Sequence, residues 1–286
     1  MLPLCVQLRS PLRPLQTLTR LSQTAAPPLP DPHPAAAQPA PPPLPPANAE
    51  RVALFDLDLT LLDVNTGRLW VEKEFRDGKV PFMIYALAVY WFAKYAAGLG
   101  IDAGEVAREA MALYGGQMEA AMVTEVEAFW AAACEARVRP GARAALAAHR
   151  AAGERCVLCT ASWQHVAACA VRSLALDGAI CSVIHVGPDG RFTGGVSDAY
   201  GEGKLQRTAE WAAREGVDLR NCTFYTDSFS DATLLAAVGT PVAVNPDAKL
   251  AALAAKRGWR AEDWGAAPVG EAKQRYSACS ALFFLR

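Results

Sequence analysis

The sequence Val52-Ala53-Leu54-Phe55-Asp56-Leu57-Asp58-Leu59-Thr60 places two carboxylates directly after a short apolar run. The length and composition of this run predict a buried β-strand. The carboxyl ends of such strands are where open α/β sheets bind their ligands. Two close carboxylates suit a metal ion, or a division of labour in which one stays ionised and the other carries a proton. A solvated strand end is the alternative interpretation.

A second apolar run, Cys156-Val157-Leu158-Cys159, ends in the small residues Thr160-Ala161-Ser162. The pattern from Trp163 to Leu176 is helical, so we expect Thr160 near a strand-to-helix junction. A hydroxyl residue there can cap the helix, or offer its hydroxyl and nearby N–H groups to an anion.

Two further segments carry charged residues at predicted element ends. Gly201-Glu202-Gly203-Lys204 puts a lysine in the first turn of a helix, where a cation opposes the helix dipole and is better placed for a phosphate. Phe224-Tyr225-Thr226 predicts another strand, which ends in Asp227, and Asp231 follows as a helix begins. A carboxylate at a helix N-terminus is the structural alternative for Asp231.

Taken in this order, the four segments resemble the motifs of the haloacid-dehalogenase-like (HAD) phosphohydrolases, and of their phosphoserine-phosphatase-like branch in particular. The resemblance runs from about Arg51 to about Trp264. Leu59 stands where a glycine is often found, and Thr160-Ala161-Ser162 replaces Ser-Gly-Gly. The segment Asp227-Ser228-Phe229-Ser230-Asp231 replaces a glycine-rich fourth motif. The departures leave every catalytic functional group in place, so they bear on the substrate more than on the chemistry.

The resemblance implies a three-layer, Rossmann-like α/β core with a mainly parallel sheet, and a helical cap inserted after the first strand. The core would comprise residues 50–66 and 138–286, and the cap residues 67–137. Asp56 would be the nucleophile that forms an aspartyl-phosphate, and Asp58 the acid and base. Thr160 and Lys204 would hold the transferring oxygens. The implied Mg²⁺ ligands are Asp56, Asp227 and, through a nearby backbone carbonyl, Asp58, with Asp231, Ser228 and Thr60 in support.

Composition limits the function classes. A net charge of −1 over 286 residues, with a pI near 6.4, argues against a nucleic-acid partner. Eight cysteines are scattered without a disulfide framework, which favours a reducing compartment. Cys156-x-x-Cys159 has a metal-like spacing, but it lies inside a predicted strand and no second pair accompanies it.

The first 49 residues differ from the rest. Residues 1–24 carry arginines and hydroxyl residues without acids, and residues 25–49 are dominated by Pro and Ala and cannot build a core. We interpret residues 1–49 as disordered or as a targeting segment. The protein is then expected to be soluble, in the cytoplasm or, if the segment is a transit peptide, in a mitochondrion or plastid.

The expected cap contains Val80 to Ala97, an 18-residue run in which Lys94 is the only charge. This length is at the lower limit for a membrane span, but a cap helix is favoured because the run lies inside a globular domain. Ala103 to Tyr114 and Glu119 to Arg137 predict further helices. A cap of this kind recognises the leaving group in the resembling family. Arg68, Lys73 and Arg76 near its start could meet a second anionic group, or form a solvated face.

After the cap we expect a helix opening at Arg139-Pro140-Gly141, a hairpin turn at Gly187-Pro188-Asp189-Gly190 and a final core strand at 241–246. The leading functional hypothesis is a Mg²⁺-dependent phosphomonoesterase acting on a small-molecule or lipid-linked phosphate. A non-catalytic phospho-ligand-binding protein and a membrane-associated phosphatidylglycerophosphate-type phosphatase are the alternatives. A dehalogenase is disfavoured because it needs no acid at Asp58. The sequence leaves the oligomeric state open.

Overall fold

The computed structural model describes residues 50–96 and 103–268. The expected disordered or targeting segment 1–49 lies outside these residues, as do Ala97 and the apolar C-terminal run at 281–285.

The centre of the fold is a seven-stranded sheet with the order β4-β3-β2-β1-β5-β6-β7. All neighbouring strands are parallel except β3 and β4, which are antiparallel. The expected α/β fold with a mainly parallel sheet is confirmed. The strands are β1 Val52–Phe55, β2 Arg155–Trp163, β3 Gly178–Val186, β4 Phe192–Ser197, β5 Cys222–Thr226, β6 Thr240–Val244 and β7 Arg260–Glu262.

The sheet is buried on both faces, because each central strand presents apolar side chains alternately to either side. In β1, Ala53 and Phe55 belong to one apolar cluster, whereas Val52 and Leu54 belong to the other. All four residues are at most 1% exposed. Helices must therefore cover both faces, which gives the three-layer core.

Four helices lie between β1 and the rest of the core: α1 Thr66–Arg76, α2 Phe82–Ala96, α3 Ala103–Ala112 and α4 Glu119–Phe129. The side chain of Asn65 caps α1 by accepting a hydrogen bond from the N–H of Arg68 at 2.9 Å. After α4 the chain makes a wide turn, Trp130–Cys134, and a short 3₁₀ helix, Glu135–Arg137.

The segment that leads from the core into the insertion is hydrogen-bonded to the segment that leads back. Leu62 and Val138 form an isolated antiparallel bridge, and the N–H of Arg139 donates to the carbonyl of Leu61 at 2.9 Å. The guanidinium of Arg137 adds a 2.7 Å ion pair with Asp63. These bonds agree with a cap that leaves the core near residue 66 and returns at 138, and the boundaries 67–137 stay a prediction.

The insertion is also hydrogen-bonded to the β3–β4 hairpin. The N–H of Gly116 donates to the carbonyl of Phe192 at 2.7 Å, and the N–H of Phe192 donates to the carbonyl of Gln117 at 3.0 Å. The hairpin turns at Gly190, whose φ of +73° favours glycine. The hairpin predicted at 187–190 is thus confirmed, and it supports the end of the insertion nearest α4.

The remaining helices are α5 Pro140–Ala151, α6 Gln164–Leu174, α7 Glu202–Glu215, α8 Ala232–Ala237 and α9 Ala248–Arg257. Pro140 occupies the first turn of α5, as the sequence predicted. The helix predicted from Trp163 begins one residue later, because β2 extends through Trp163. Thr160 therefore lies within β2, and its predicted place at a strand-to-helix junction is wrong.

The run predicted as a helix over 80–97 forms α2 at Phe82–Ala96. Among the described helices, none combines the length and the apolar character that crossing a bilayer requires. The described cysteines are free and buried, including Cys156 and Cys159 on β2.

Candidate active site

The chain reverses immediately after β1, and this turn fixes the first pair of carboxylates. Asp56 keeps an extended backbone, and Leu59 then adopts φ +60° and ψ −3°. The N–H of Leu61 bonds to the carbonyl of Asp56 at 3.3 Å, and that of Leu62 to Leu57 at 2.9 Å. These bonds to the fifth preceding residue close one wide turn. Asp56 and Asp58 lie on it at the carboxyl edge of the sheet.

A buried lysine joins two carboxylates at this edge. Lys204 Nζ lies 3.0 Å from Asp56 Oδ1 and 2.7 Å from Asp231 Oδ2. The three residues are between 1% and 6% exposed. The hydroxyl of Thr226 also donates to Asp231 Oδ2, at 2.7 Å. Charge-assisted bonds of this length hold the Asp56 carboxylate in one orientation.

Burial and neighbouring charges shift the pKa values of this group. Burial raises the pKa of Asp56 from 3.8 to about 7, although Lys204 pulls it down. Burial alone would lower the pKa of Lys204, but the carboxylates of Asp231 and Asp56 outweigh it and raise that pKa well above 10.5. The lysine therefore stays protonated and supplies a permanent positive charge at the edge of the sheet.

Thr60 connects Asp56 to Asp227, the first residue after β5. The Thr60 hydroxyl lies 3.1 Å from Asp227 Oδ1 and 3.4 Å from Asp56 Oδ2, and it accepts the N–H of Asp227 at 2.9 Å. Burial and the nearby Asp56 charge raise the pKa of Asp227 well above 3.8. Two buried carboxylates thus repel each other across one hydroxyl, and a cation between them would relieve that repulsion.

This donor set fits Mg²⁺, which prefers oxygen ligands and commonly takes one or two carboxylates with several waters. Asp56 and Asp227 are the two carboxylates that face each other. Within the described ranges, no group of three or more His, Cys, Asp or Glu side chains is arranged as a metal site. The backbone carbonyl near Asp58 that the sequence analysis expects as a further ligand stays a prediction.

Both oxygens of the Asp58 carboxylate accept hydrogen bonds, one from α1 and one from β2. Its Oδ1 accepts the N–H of Thr66 at 2.6 Å, and its Oδ2 accepts the hydroxyl of Ser162 at 2.8 Å. Burial raises the pKa of Asp58, although these hydrogen bonds oppose the shift. A carboxyl group near the nucleophile with a raised pKa suits a proton carrier. Its predicted role as acid and base stays open, and a side-chain role in metal binding has no support from these contacts.

Thr66 and Ser162 are functional neighbours that the sequence reasoning missed. Thr66 begins α1, Ser162 belongs to β2, and their hydroxyls lie 3.0 Å apart. Ser162 stands in the second motif, so its position at a strand end was a usable signal. Thr66 carried no comparable signal, because it is eight residues from Asp58 in a region without a predicted turn type.

The other predicted residues lie at the same edge. β1 and β2 are parallel, with Phe55 paired to Leu158, so Asp56 and Thr160 both follow the paired residues towards the carboxyl edge. The buried Thr160 hydroxyl accepts the N–H of Ser162 at 3.1 Å. Ser228 accepts the N–H of Ser230 at 3.3 Å and thereby stabilises the turn between Asp227 and Asp231.

The cations proposed to meet a second anionic group contact protein groups on or near α1, and Lys73 Nζ also lies 3.9 Å from Glu125 Oε2 of α4. Arg68 pairs with Glu72 at 3.1 Å, and Lys73 pairs with Glu74 at 3.0 Å and Asp77 at 2.8 Å. Arg76 donates to the carbonyl of Glu72 at 3.2 Å. These contacts favour the interpretation as a charged helix face.

Comparisons with known proteins identify the family of this chain. The family model of haloacid dehalogenase-like hydrolases matches residues 53–236. A phosphoserine phosphatase of Mycobacterium tuberculosis is 34% identical over 227 residues, which cover 77% of this chain and 73% of that protein. A histidinol-phosphatase of Neisseria meningitidis is 29% identical over 218 residues, covering 73% and 97% respectively. The crystal structure of a Bordetella pertussis protein of unknown function superimposes with a TM-score of 0.68 at 29% identity, covering 76% of this chain and all of that one.

The protein belongs to the haloacid dehalogenase-like hydrolase family. Its relatives include phosphatases, and it is a phosphatase-type member of that family. The family predicted from the four sequence motifs is therefore confirmed. The matched region begins within β1 and ends within α8, so it contains all four motifs.

Proposed function

We propose that this protein is a Mg²⁺-dependent phosphomonoester hydrolase that works through an aspartyl-phosphate on Asp56. The observation that carries the proposal is the buried Asp56 carboxylate, held by Lys204 on one side and joined to Asp227 through Thr60 on the other. This arrangement orients the Asp56 carboxylate beside the positive charge of Lys204. A bound Mg²⁺ would add positive charge on the side of Asp227. Positioning and charge neutralisation are the main requirements of phosphoryl transfer.

In the first step an Asp56 oxygen attacks the phosphorus, and the bond from phosphorus to the leaving oxygen breaks. The proton of Asp58 moves to that oxygen, so an alcohol leaves. In the second step Asp58 takes a proton from water, the water oxygen attacks the phosphorus, and the Asp56–phosphorus bond breaks. Inorganic phosphate is released, and Asp58 is protonated again for the next turnover.

The proposed roles of the other residues follow from their contacts. Lys204 carries the permanent charge that the transferring phosphoryl oxygens need, and Thr160 would add a hydroxyl from the same edge of the sheet. Mg²⁺, when bound, would neutralise charge on the phosphoryl group, and Asp56, Asp227 and a backbone carbonyl near Asp58 would hold it. Ser162 and Thr66 orient Asp58.

We further propose that the substrate is a small primary phosphate ester with an amino group on the neighbouring carbon. Support comes from two relatives, which are named for phosphoserine and for histidinol phosphate. Both compounds share this group and differ in the rest of the molecule. Discrimination would come from the insertion 67–137, because the motif residues contact only the phosphoryl group.

The experiment is a substrate panel, run with purified protein, Mg²⁺ and a chelator control. It contains phosphoserine, histidinol phosphate, an aryl phosphate and phosphatidylglycerophosphate. Mass spectrometry of acid-quenched turnover mixtures should find one phosphoryl group on the peptide that contains Asp56. Release of phosphate without this adduct in a rapidly quenched series would refute the covalent route.

The panel also separates the alternatives. No hydrolysis of any compound, with retained phosphate-ester binding, would identify a non-catalytic binding protein. Preference for the lipid would favour a phosphatidylglycerophosphate-type activity over small amino-alcohol phosphates.

A further inference from the structure

Helix α2 exposes several large apolar side chains that lie close together on the helix. Lys94 is its only charged residue between Phe82 and Ala96. Phe82 is 67% exposed, Met83 72%, Val89 37% and Tyr90 54%. We call these four residues the outer face of α2.

The outer face is one continuous surface. At 3.6 residues per turn its four residues fall within an arc of about 120°, which is the width of an ordinary core-facing stripe. The helix is anchored along one edge of this face, where the ring of Tyr85 stacks on Phe75 of α1 at 4.2 Å between centroids and 10° between planes. The ring of Phe82 lies 6.2 Å from the same Phe75 ring. α2 thus packs on α1 along one edge, and the described residues leave the greater part of Phe82, Met83 and Tyr90 exposed.

α2 carries one charge, the cation of Lys94, and the nearest acids along the chain, Asp77 and Asp102, lie outside the helix. Residues 78–101 contain Lys79 and Lys94 and no acidic residue. Lys79 is already paired with Glu125. Lys94 Nζ instead lies 5.4 Å from the ring centroid of Tyr90 and 5.2 Å from that of Trp91. The aliphatic part of Lys94 therefore lies along aromatic rings, and its ammonium group lies at the edge of the apolar face.

These features fit a lipid surface better than a second copy of the chain. A stable protein interface buries about 800 Å² per partner from roughly 20–30 residues, whereas the outer face offers four side chains. Aromatic residues beside lysine are typical of the boundary between headgroups and acyl chains. The cation of Lys94, at the end of the outer face, complements anionic headgroups.

We propose that the outer face of α2 docks on an anionic lipid surface. Phe82, Met83 and Val89 enter the acyl boundary, Tyr90 lies at the headgroup level, and Lys94 contacts lipid phosphate. The proposal does not depend on the phosphatase reaction, because none of these residues is placed in the catalytic machinery.

Sedimentation with vesicles tests it. The full chain is incubated with vesicles of phosphatidylcholine alone, or of phosphatidylcholine with phosphatidylglycerol. We expect the protein to sediment with the anionic vesicles. Lys94→Gln should weaken that partitioning about fivefold, and Met83→Ser/Tyr90→Ser should weaken it at least about tenfold. Leu113→Ser is the matched control, since Leu113 is 73% exposed but lies beyond α3.

Thermal unfolding and hydrolysis of a water-soluble aryl phosphate are measured on each variant, so that misfolding is detected independently. If the double variant fails to fold, Lys94→Gln alone decides. Absence of binding to either vesicle would overturn the proposal, as would equal binding by Lys94→Gln and the wild type. A wild-type dimer in lipid-free buffer that the double variant converts to monomer would also overturn it, by assigning the face to a second copy.

Discussion

The catalytic edge of the sheet and the outer face of α2 depart from the usual distribution of residues in opposite ways. At the catalytic edge, Asp56, Lys204 and Asp231 are buried although they are charged. On α2, Phe82 and Met83 are exposed although they are apolar. The buried charges are tolerable only because each has a partner, since an unpaired buried charge costs several kcal/mol.

An exposed apolar side chain carries no such requirement. It contributes little to the free energy of folding, and its substitution changes that free energy little. Its neighbours therefore need not be arranged around it. We therefore expect substitutions at the catalytic edge to change activity and stability strongly. Substitutions on the outer face should change association with lipid and leave stability nearly unaltered.

Asp56→Asn should produce the largest effect. The asparagine oxygen can still accept a hydrogen bond from Lys204, so the fold should persist while the nucleophile is lost. We expect kcat to fall by roughly 10⁴-fold or more, as for other removed nucleophiles. Steady-state hydrolysis of an aryl phosphate measures it. Asp189→Asn, on the exposed hairpin turn, is the control and should retain full activity. A folded Asp56→Asn enzyme with near-normal turnover would exclude the proposed mechanism.

Lys204→Met should destabilise the fold more than any other single substitution at the catalytic edge. It leaves Asp56 and Asp231 buried without their cation, and losing one partner of a buried pair costs about 3–5 kcal/mol. Urea unfolding should show this loss. Lys79→Met, which removes a half-exposed ion pair, should cost about 1 kcal/mol or less.

The matched double variant checks the cause of that loss. Because Asp231→Asn removes one of the two stranded carboxylates, Lys204→Met/Asp231→Asn should be more stable than Lys204→Met alone. Additive losses in the two single variants would show that the Asp56–Lys204–Asp231 contacts do not act as one charge network.

The stability of the metal-free protein should fall as pH rises. The folded-state pKa of Asp56 is about 7, above its ordinary value of 3.8, so the folded state holds this proton more tightly than the unfolded chain. Stability from this group is complete below pH 3.8 and is lost as pH rises through about 7. In chelator, the free energy of unfolding should drop on the order of 2 kcal/mol between about pH 5 and 8.

Mg²⁺ at about pH 8 should recover much of this stability and also restore activity, whereas Ca²⁺, which is larger and prefers more ligands, should substitute poorly. Asp56→Asn in chelator should show a weaker dependence on pH than the wild type. The dependence that remains should come from Asp227 and Asp58, whose pKa values burial also raises. Equal unfolding free energies of the wild-type protein at the two pH values, or full activity in excess chelator, would contradict the assignment of Asp56 and Asp227 to a cation site.

The sequence allowed the catalytic edge to be predicted because its geometry follows from strand ends. Parallel strands bring their carboxyl ends to one edge, so Asp56, Thr160 and Asp227 were expected together before any distance was known. Lys204 was identified by its unfavourable position at a helix start. In the structure its ammonium group contacts Asp56, which no local pattern specified.

The partners of Asp58 could not be predicted in the same way. Their hydrogen bonds depend on where α1 starts relative to β2, which is a property of tertiary packing. The exposure of α2 could not be predicted either, because the sequence pattern of an apolar helix is the same whether the helix is buried in a cap or exposed. The bridge from Met118 to Arg191 joins residues far apart in the chain and had no sequence signal.

Leu59 provides the test with the smallest expected effect, and it concerns the backbone rather than charge or exposure. Its φ of +60° is unfavourable for a residue with a Cβ, at a cost of roughly 1–2 kcal/mol. Glycine adopts this conformation freely, whereas a β-branched residue tolerates it least. We therefore expect Leu59→Gly to be more stable than Leu59→Ile by on the order of 1 kcal/mol, measured by urea unfolding. Leu59→Ile should also lower kcat, because a shifted turn moves both Asp56 and Asp58. If the two variants have equal stability and equal kcat, the turn after β1 is not strained at Leu59, and the placement of the two carboxylates does not depend on it.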